Sequence, residues 1–283
     1  MKNNDPIWVI GTHRSGTTLV SQIVEEMGVF MGWRKDSNNE SLFFVHRNEE
    51  ILRASGGAWD RPESFSEVIR QHELTQFYIQ RLARDWNGLP SLDFWGPKRA
   101  SKAKSGLWGW KDPRMSIVAP LWVDIFDKPK IIRIIRNGVD VALSLQVREQ
   151  KVLRGELKIS RKTSLLPPFY RRPVMSVRCL TIEGAFDLWE TYMAWEERLL
   201  SGGNLPTYTV RYEDILTDPV RHIFGLAEFI GVKPTDSPIE RIQVSLRQNR
   251  RFAFLENEDS QKFYDKVRRR PFMQRYGYSN LSR

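Results

Sequence analysis

One stretch, GTHRSGTT at residues 11–18, has the residue types and spacing of a phosphate-binding loop, with one substitution that changes its chemistry. The template G-x-x-x-x-G-K-[ST] places Lys after the second glycine and a magnesium-binding hydroxyl after the Lys. Gly11 and Gly16 keep the spacing, Thr17 stands in the Lys position, and Thr18 falls where the hydroxyl belongs. A permanent cation is present instead inside the loop, at Arg14. Such a loop binds anionic oxygens through backbone N–H groups at a helix N-terminus, with a planar guanidinium in place of an ammonium.

The elements that must position this loop are legible around it. The apolar run IWVI (7–10) reads as a buried strand, and Leu19, Val20, Ile23, Val24 and Met27 recur at helical spacing behind the loop. The N–H groups of residues 14–18 are then expected to converge at the helix N-terminus. A second strand is predicted at KIIRIIR (130–136), followed by a helix with Val139, Ala142, Leu143 and Val147 as its apolar stripe. Further strands are predicted at LWGW (107–110) and TYTVRY (207–212). A helix over 182–200 carries Trp189, Tyr192 and Leu199 toward the core, and Asp218-Pro219 starts another that reaches about Ile230. This alternation predicts an α/β fold of three layers, a central mostly parallel sheet flanked by helices, with ligands at the carboxyl ends of the strands.

The 283 residues, 41% hydrophobic and 28% charged and with no Gly/Ser linker, are expected to form a single domain over 1–283. A basic, proline-bearing segment at about 151–178 is expected to be a surface insertion. No apolar run approaches the roughly 20 residues of a membrane span, the start MKNNDP precedes too short an apolar run for a secretion leader, and Cys179 has no partner for an internal disulfide. A cytoplasmic protein without integral membrane association is expected, with Cys179 as a small buried hydrophobe. The formal charge of +10 favours acidic partners. No zinc-type Cys/His pattern, RNA-binding signature or internal repeat accompanies it, so no nucleic-acid partner is expected.

Two segments together resemble the sulfotransferases that use 3′-phosphoadenosine 5′-phosphosulfate. HRSGTTL (13–19) is similar to that family's 5′-phosphosulfate loop, and RIIRNGVDVALS (133–144) to its 3′-phosphate motif. WKDPR (110–114) and VRYEDILTDP (210–219) are similar to segments of bacterial-type and carbohydrate-acting members, and the resemblance fades after them. It implies a P-loop-type fold and transfer of a sulfuryl group to an acceptor hydroxyl on a carbohydrate, glycolipid or other small molecule. By match to the motifs, Ser15, Gly16, Thr17 and Thr18 surround the 5′-phosphate and sulfuryl group, and Arg136 and Ser144 hold the 3′-phosphate; His13, inside the loop, reads equally as a contact to the transferred group or as a spacer of the backbone. Because a sulfuryl group carries less charge than a phosphoryl group, cations and N–H donors suffice and no metal is expected to be required. Arg14, which does not readily give up its proton, is assigned to electrostatic stabilisation.

The acceptor hydroxyl needs a base. Several bacterial and Golgi-type members use a Glu after the first helix, and NNESLFFVHRNEEIL (38–52) resembles that region, which implies Glu40. His46 is the alternative on its unperturbed pKa, and helix capping is the structural rival for Glu40. In KDPR, Lys111 is expected to support the sulfuryl group or the acceptor, and Asp112 to orient Arg14 or serve as another base. The same residues read equally well as an internal salt-bridge cluster, as do Arg211, Glu213 and Asp214. Phe43, Phe44, Trp59, Trp86, Trp95 and Trp108 suit either a ring-stacking acceptor pocket or a core. KVRRRPF (266–272) reads as a cover for the 3′-phosphate or as a solvated tail. The competing enzyme class is a P-loop kinase or NTPase, favoured by the loop spacing and opposed by the absent Lys. A basic nucleic-acid-binding module rests on net charge alone.

Overall fold

In chain order the main elements are β1 (Ile7–Ile10), α1 (Thr17–Glu26), α2 (Leu42–Ala54), α3 (His72–Asn87), β2 (Gly109–Lys111), α4 (Met115–Val123), β3 (Lys130–Ile135), α5 (Gly138–Leu153), α6 (Ile182–Ser201), β4 (Thr207–Arg211), α7 (Tyr212–Thr217), α8 (Pro219–Ile230), α9 (Glu258–Val267) and α10 (Pro271–Arg275). The structure, a computed structural model, describes residues 5–96, 106–156, 175–202, 205–233 and 250–281. The strands form one sheet in the order β2-β1-β3-β4, and every neighbouring pair is parallel. This is the α/β arrangement that the strand–helix alternation predicts.

The chain divides into two compact units, Met1–Arg136 with Thr191–Phe252, and Asn137–Glu190 with Ala253–Arg283. The first contains the whole sheet. Side chains alternate across a strand, so β1 sends Ile7 and Val9 to one face and Trp8 to the other. Ile7, Val9, Ile132, Ile134 and Val210 pack with Val20, Ile23 and Val24 of α1 and Ile223, Leu226 and Ile230 of α8. On the opposite face Trp8 meets Trp110 of β2, and Phe44 of α2 lies parallel on Trp110 with ring centroids 3.6 Å apart. Such ring pairs contribute about 0.5–1.5 kcal/mol beyond the area they bury.

This aromatic layer decides between the two readings of the aromatic residues. Phe43, Phe44, Trp86, Trp95 and Trp108 are buried and packed on one another, so they form core and leave Trp59 as the remaining candidate acceptor contact. β2 also starts later than LWGW suggests. A Cβ on Gly109 would lie 2.0 Å from the Ile7 carbonyl oxygen, so only glycine allows the strands to close there. α8 begins where Asp218-Pro219 predicts: Asp218 accepts from the Arg221 N–H at 3.1 Å, and Gly231 at φ 90° ends the helix.

In the second unit, Asn137 caps α5 by accepting from the Val139 and Asp140 N–H groups. Gly138 is required by packing: a Cβ there would lie 2.6 Å from the Trp189 ring and 2.8 Å from that of Phe186. The buried stripe of α5 is Val139, Val141, Ala142 and Leu145, whereas Val147 is 47% exposed. The stripe expected through Leu143 and Val147 is therefore rotated. Glu149 faces inward instead, paired with Arg148 and accepting the Ser176 N–H at 2.9 Å. Cys179 is buried. Within the expected insertion at 151–178, residues 151–153 complete α5 and residues 157–174 lie outside the described residues. Among the described residues no helix is long and apolar enough to cross a membrane.

Candidate active site

The turn from β1 into α1 is built on backbone conformations that most side chains avoid. Gly11 has φ 148° and a Cβ there would meet the Ile134 carbonyl oxygen at 2.6 Å, while Gly16 has φ 101° and a Cβ would meet the Tyr212 ring at 2.3 Å. Arg14 itself takes φ 70°. The Ser15 N–H turns back to the Thr12 carbonyl at 3.1 Å, so the convergence expected of residues 14–18 is narrower than the sequence suggests. Among the described residues, no protein acceptor binds the N–H groups of Gly16, Thr17 or Thr18, and no side chain caps α1. The Ser15 hydroxyl is likewise buried with no protein partner among the described residues. These donors, at the positive end of a helix dipole, form an anion site.

Arg136, at the end of β3, reaches this loop. Its Nη1 donates to the Arg14 carbonyl at 3.1 Å and its Nη2 to the Arg250 carbonyl at 3.0 Å. Its guanidinium carbon sits 4.7 Å from the centroid of the Tyr212 ring, a cation–π contact that further fixes the plane. Both of these contacts are to neutral carbonyl oxygens. Ser144 lies half-buried on α5, in the second unit.

The carboxyl end of β2 carries an ion cluster. Glu40 Oε1 accepts from Lys111 Nζ at 2.9 Å and Oε2 from Arg114 Nη1 at 3.1 Å. Arg114 also binds Asp112 Oδ1 at 2.8 Å and Glu49 Oε1 at 2.9 Å. Asp112 Oδ2 accepts from Asn48 Nδ2, whose Oδ1 accepts the Trp122 indole N–H. Burial works to raise the Glu40 carboxyl, but Lys111, Arg114 and His13 overcome it and hold the group at about 2. Glu40 precedes Ser41, the N-cap of α2, and caps nothing. Asp112 holds Arg114 and Asn48 rather than Arg14, which is the salt-bridge reading of KDPR. His46 is exposed on α2 and outside this cluster.

One backbone carbonyl joins the two halves of the site. Asn38 O accepts from Thr18 Oγ1 at 3.1 Å and from Lys111 Nζ at 2.9 Å. The hydroxyl expected to face the ligand thus donates here to the loop that carries Glu40. Asp36 shapes that loop by accepting the N–H groups of Asn38 and Glu40, both at 2.8 Å, and Asn39, at φ 64°, ties it to Ser21 at 2.9 Å and Glu25 at 3.2 Å. On the other side of the phosphate loop, the His13 ring lies 4.8 Å from Trp59 and 5.9 Å from Tyr192, whose hydroxyl donates to the Trp59 carbonyl at 2.8 Å.

Sequence reasoning missed Asn38, Asp36, Asn48 and Tyr212. The run DSNN at 36–39 carries a turn signal that points to the first two. Nothing local marks Tyr212, which is brought to Gly16 by β4 pairing beside β3. Of the expected Arg211, Glu213 and Asp214 network, Arg211 and Asp214 pair at 2.9 and 2.7 Å, part-exposed and three residues apart. Among the described residues no group of three His, Cys, Asp or Glu side chains is placed to hold a metal ion.

The model of the sulfotransferase family matches residues 6–236, and the chain belongs to that family. A search of curated proteins finds no match. Among solved structures the chain is similar to a sulfotransferase from Alicyclobacillus acidocaldarius, at 15% identity over 96% of this chain and 92% of that one, with a TM-score of 0.49. It is similar to the sulfotransferase domain from the curacin biosynthetic pathway at 15% identity, covering 88% and 81%, with a TM-score of 0.48. The sulfotransferase domain of the Synechococcus PCC 7002 olefin synthase follows at 17% identity, covering 91% and 85%, with a TM-score of 0.44.

Proposed function

We propose that this sulfotransferase takes its sulfuryl group from 3′-phosphoadenosine 5′-phosphosulfate and passes it to a hydroxyl of a carbohydrate, glycolipid or other small molecule. The observation that carries the reading is the set of N–H groups of Gly16, Thr17 and Thr18, without protein acceptors, opening beside the doubly anchored Arg136. These donors fit a nucleotide bearing two phosphate groups, and Gly11 and Gly16 let the loop that carries them pack directly on Ile134 and Tyr212. When bound, that donor supplies an activated sulfuryl group with a bisphosphate leaving group. Loop residues Ser15, Gly16, Thr17 and Thr18 hold the 5′ end and Arg136 the 3′-phosphate, with Ser144 as a second contact on the strength of the sequence motif. Arg14 stabilises the charge that develops on the departing phosphate.

Glu40 accepts the proton of the acceptor hydroxyl. Held at about 2 by its cations, the carboxylate is ionised at neutral pH but weakly basic. An anion in the neighbouring loop raises it by opposing the field of Lys111 and by competing for that ammonium. Lys111 therefore serves as the link between occupancy of the loop and the basicity of Glu40. His13 and Trp59 border the acceptor side.

The decisive experiment is calorimetric titration of adenosine 3′,5′-bisphosphate with EDTA present, with adenosine 5′-monophosphate and ATP as controls. Binding that requires the 3′-phosphate and ignores EDTA supports the donor assigned here. Binding of ATP only, and only with magnesium, would replace it with a kinase-like reading.

A further inference from the structure

The run KVRRRPF is not absorbed by the site above. It lies in the second unit, where it joins α9 to α10. Arg270 is paired with Glu190 through both carboxylate oxygens. Its two neighbours are differently placed. Arg268 and Arg269 line a cavity of about 360 Å³ together with Gln274, Ser279 and Asn280. No carboxylate lines it among the described residues. Among the described residues, Arg268 approaches the well-exposed Asp265 at 3.5 Å and Arg269 makes no ion pair. The Ser279 hydroxyl is buried with no hydrogen-bond partner among the described residues.

The wall that carries Ser279 and Asn280 is already fixed. The Tyr264 hydroxyl donates to the Tyr278 carbonyl at 2.8 Å and accepts the Leu281 N–H at 2.9 Å. The Tyr278 N–H donates to Met273 O at 2.7 Å, and the Tyr278 ring is fully buried. Residues 278–281 are thus clamped against α9 before any ligand arrives, so binding there requires little ordering of backbone. Two guanidinium groups, two amides and a hydroxyl lining one cavity are complementary to an oxyanion with hydroxyl groups attached. The volume is that of a small-ligand site.

From this we infer that the cavity binds a sulfate or phosphate monoester of about monosaccharide size. Arg268 and Arg269 take the oxyanion, Ser279 donates to it or to an adjacent hydroxyl, and Gln274 and Asn280 meet the remaining polar groups. The site uses no residue of the phosphate loop and stands independently of the donor assigned above.

The test titrates glucose 6-sulfate and glucose 6-phosphate into the full chain, presaturated with adenosine 3′,5′-bisphosphate, with glucose as the uncharged control. One ester site and no glucose binding are expected. Arg268→Ala and Arg269→Ala should each weaken the ester about tenfold, the loss of one charge-assisted contact, and Ser279→Ala by a smaller factor. Lys262→Ala, which removes the same charge on α9, should leave it unchanged. Preference between the two esters tells whether sulfated or phosphorylated compounds are the natural ligands. Absence of ester binding at millimolar concentration, equal binding of glucose, or an unmoved Kd in the Arg268→Ala, Arg269→Ala double variant would overturn the assignment.

Discussion

At the scale of single residues, the side chains assigned to chemistry are held by neighbours that contribute none of their own. Glu40 shows why this matters. Its carboxylate binds two buried cations, so removing its charge leaves Lys111 and Arg114 without their partner. Its pKa in the folded chain, about 2, lies below the ordinary 4.5, so folding binds fewer protons and the ion pairs stabilise the protein above pH 4.5. That contribution is lost as pH falls toward 2. Glu40→Gln is therefore expected to lower stability at neutral pH by up to about 3 kcal/mol. Denaturant unfolding at stepped pH should show the two proteins converging in acid. The same variant is expected to lose roughly 10²–10⁴ in kcat, the usual scale for a general base, while nucleotide affinity is nearly kept. Full turnover by Glu40→Gln would transfer the role to another group.

Arg136 calls for the opposite outcome. Its guanidinium donates to the carbonyls of Arg14 and Arg250, which holds it beside the phosphate loop. Arg136→Ala is expected to weaken adenosine 3′,5′-bisphosphate by about 10–100-fold, the loss of a hydrogen-bonded charge. Adenosine 5′-monophosphate, lacking the 3′-phosphate, should be affected far less. Equal losses for the two nucleotides, measured calorimetrically, would contradict the role given to this residue.

At the scale of elements, strand ends and the turns behind them decide where donors point. Gly16 has both a positive φ and a Tyr212 ring where its Cβ would be. Gly16→Ala is expected to lower Tm and remove nucleotide binding together, because the turn must open to admit a methyl group. A variant that kept both would show that the turn is looser than its geometry. The loop over 36–41 is set by side chain instead of by packing. Asp36→Ala removes the carboxylate oxygen that accepts two N–H groups in it and is expected to reduce kcat by about tenfold or more with little change in nucleotide Kd. Steady-state kinetics beside calorimetry would separate those effects, and a matched loss in both would mean that Asp36 supports the phosphate loop as well.

At the scale of the whole molecule, a ligand that binds the folded chain alone must raise its stability by mass action. Adenosine 3′,5′-bisphosphate at a hundredfold excess over Kd is expected to add about 2.7 kcal/mol. The Tm should rise accordingly in the native chain and by clearly less in Arg136→Ala at the same concentration, where ten- to hundredfold weaker binding leaves about 0.4–1.4 kcal/mol. The formal charge of +10 assists any anion and discriminates none. A Tm shift requiring the 3′-phosphate is a sharper criterion than affinity for polyanions, which follows net charge and salt.

Local pattern by itself determined much of this protein. The apolar run before GTHRSGTT, the helical spacing after it, the repeat of that unit at 130–144 and the Asp218-Pro219 helix start are all short-range signals. Each reappears as an element of the parallel sheet or its flanking helices. The phosphate loop and Arg136 were legible for the same reason, because each belongs to a strand–turn–helix unit whose chemistry lies within a few residues. Only tertiary structure decided the rest. It assigned Phe44 and four tryptophan and phenylalanine neighbours to the core, turned Val147 outward, and engaged Asp112 with Arg114. It brought Tyr212 beneath Gly16 and joined Thr18 to Lys111 through the Asn38 carbonyl. These choices depend on which side chains meet across strands far apart in the chain, and a sequence pattern of period two or 3.6 reports which face is buried but not what it is buried against.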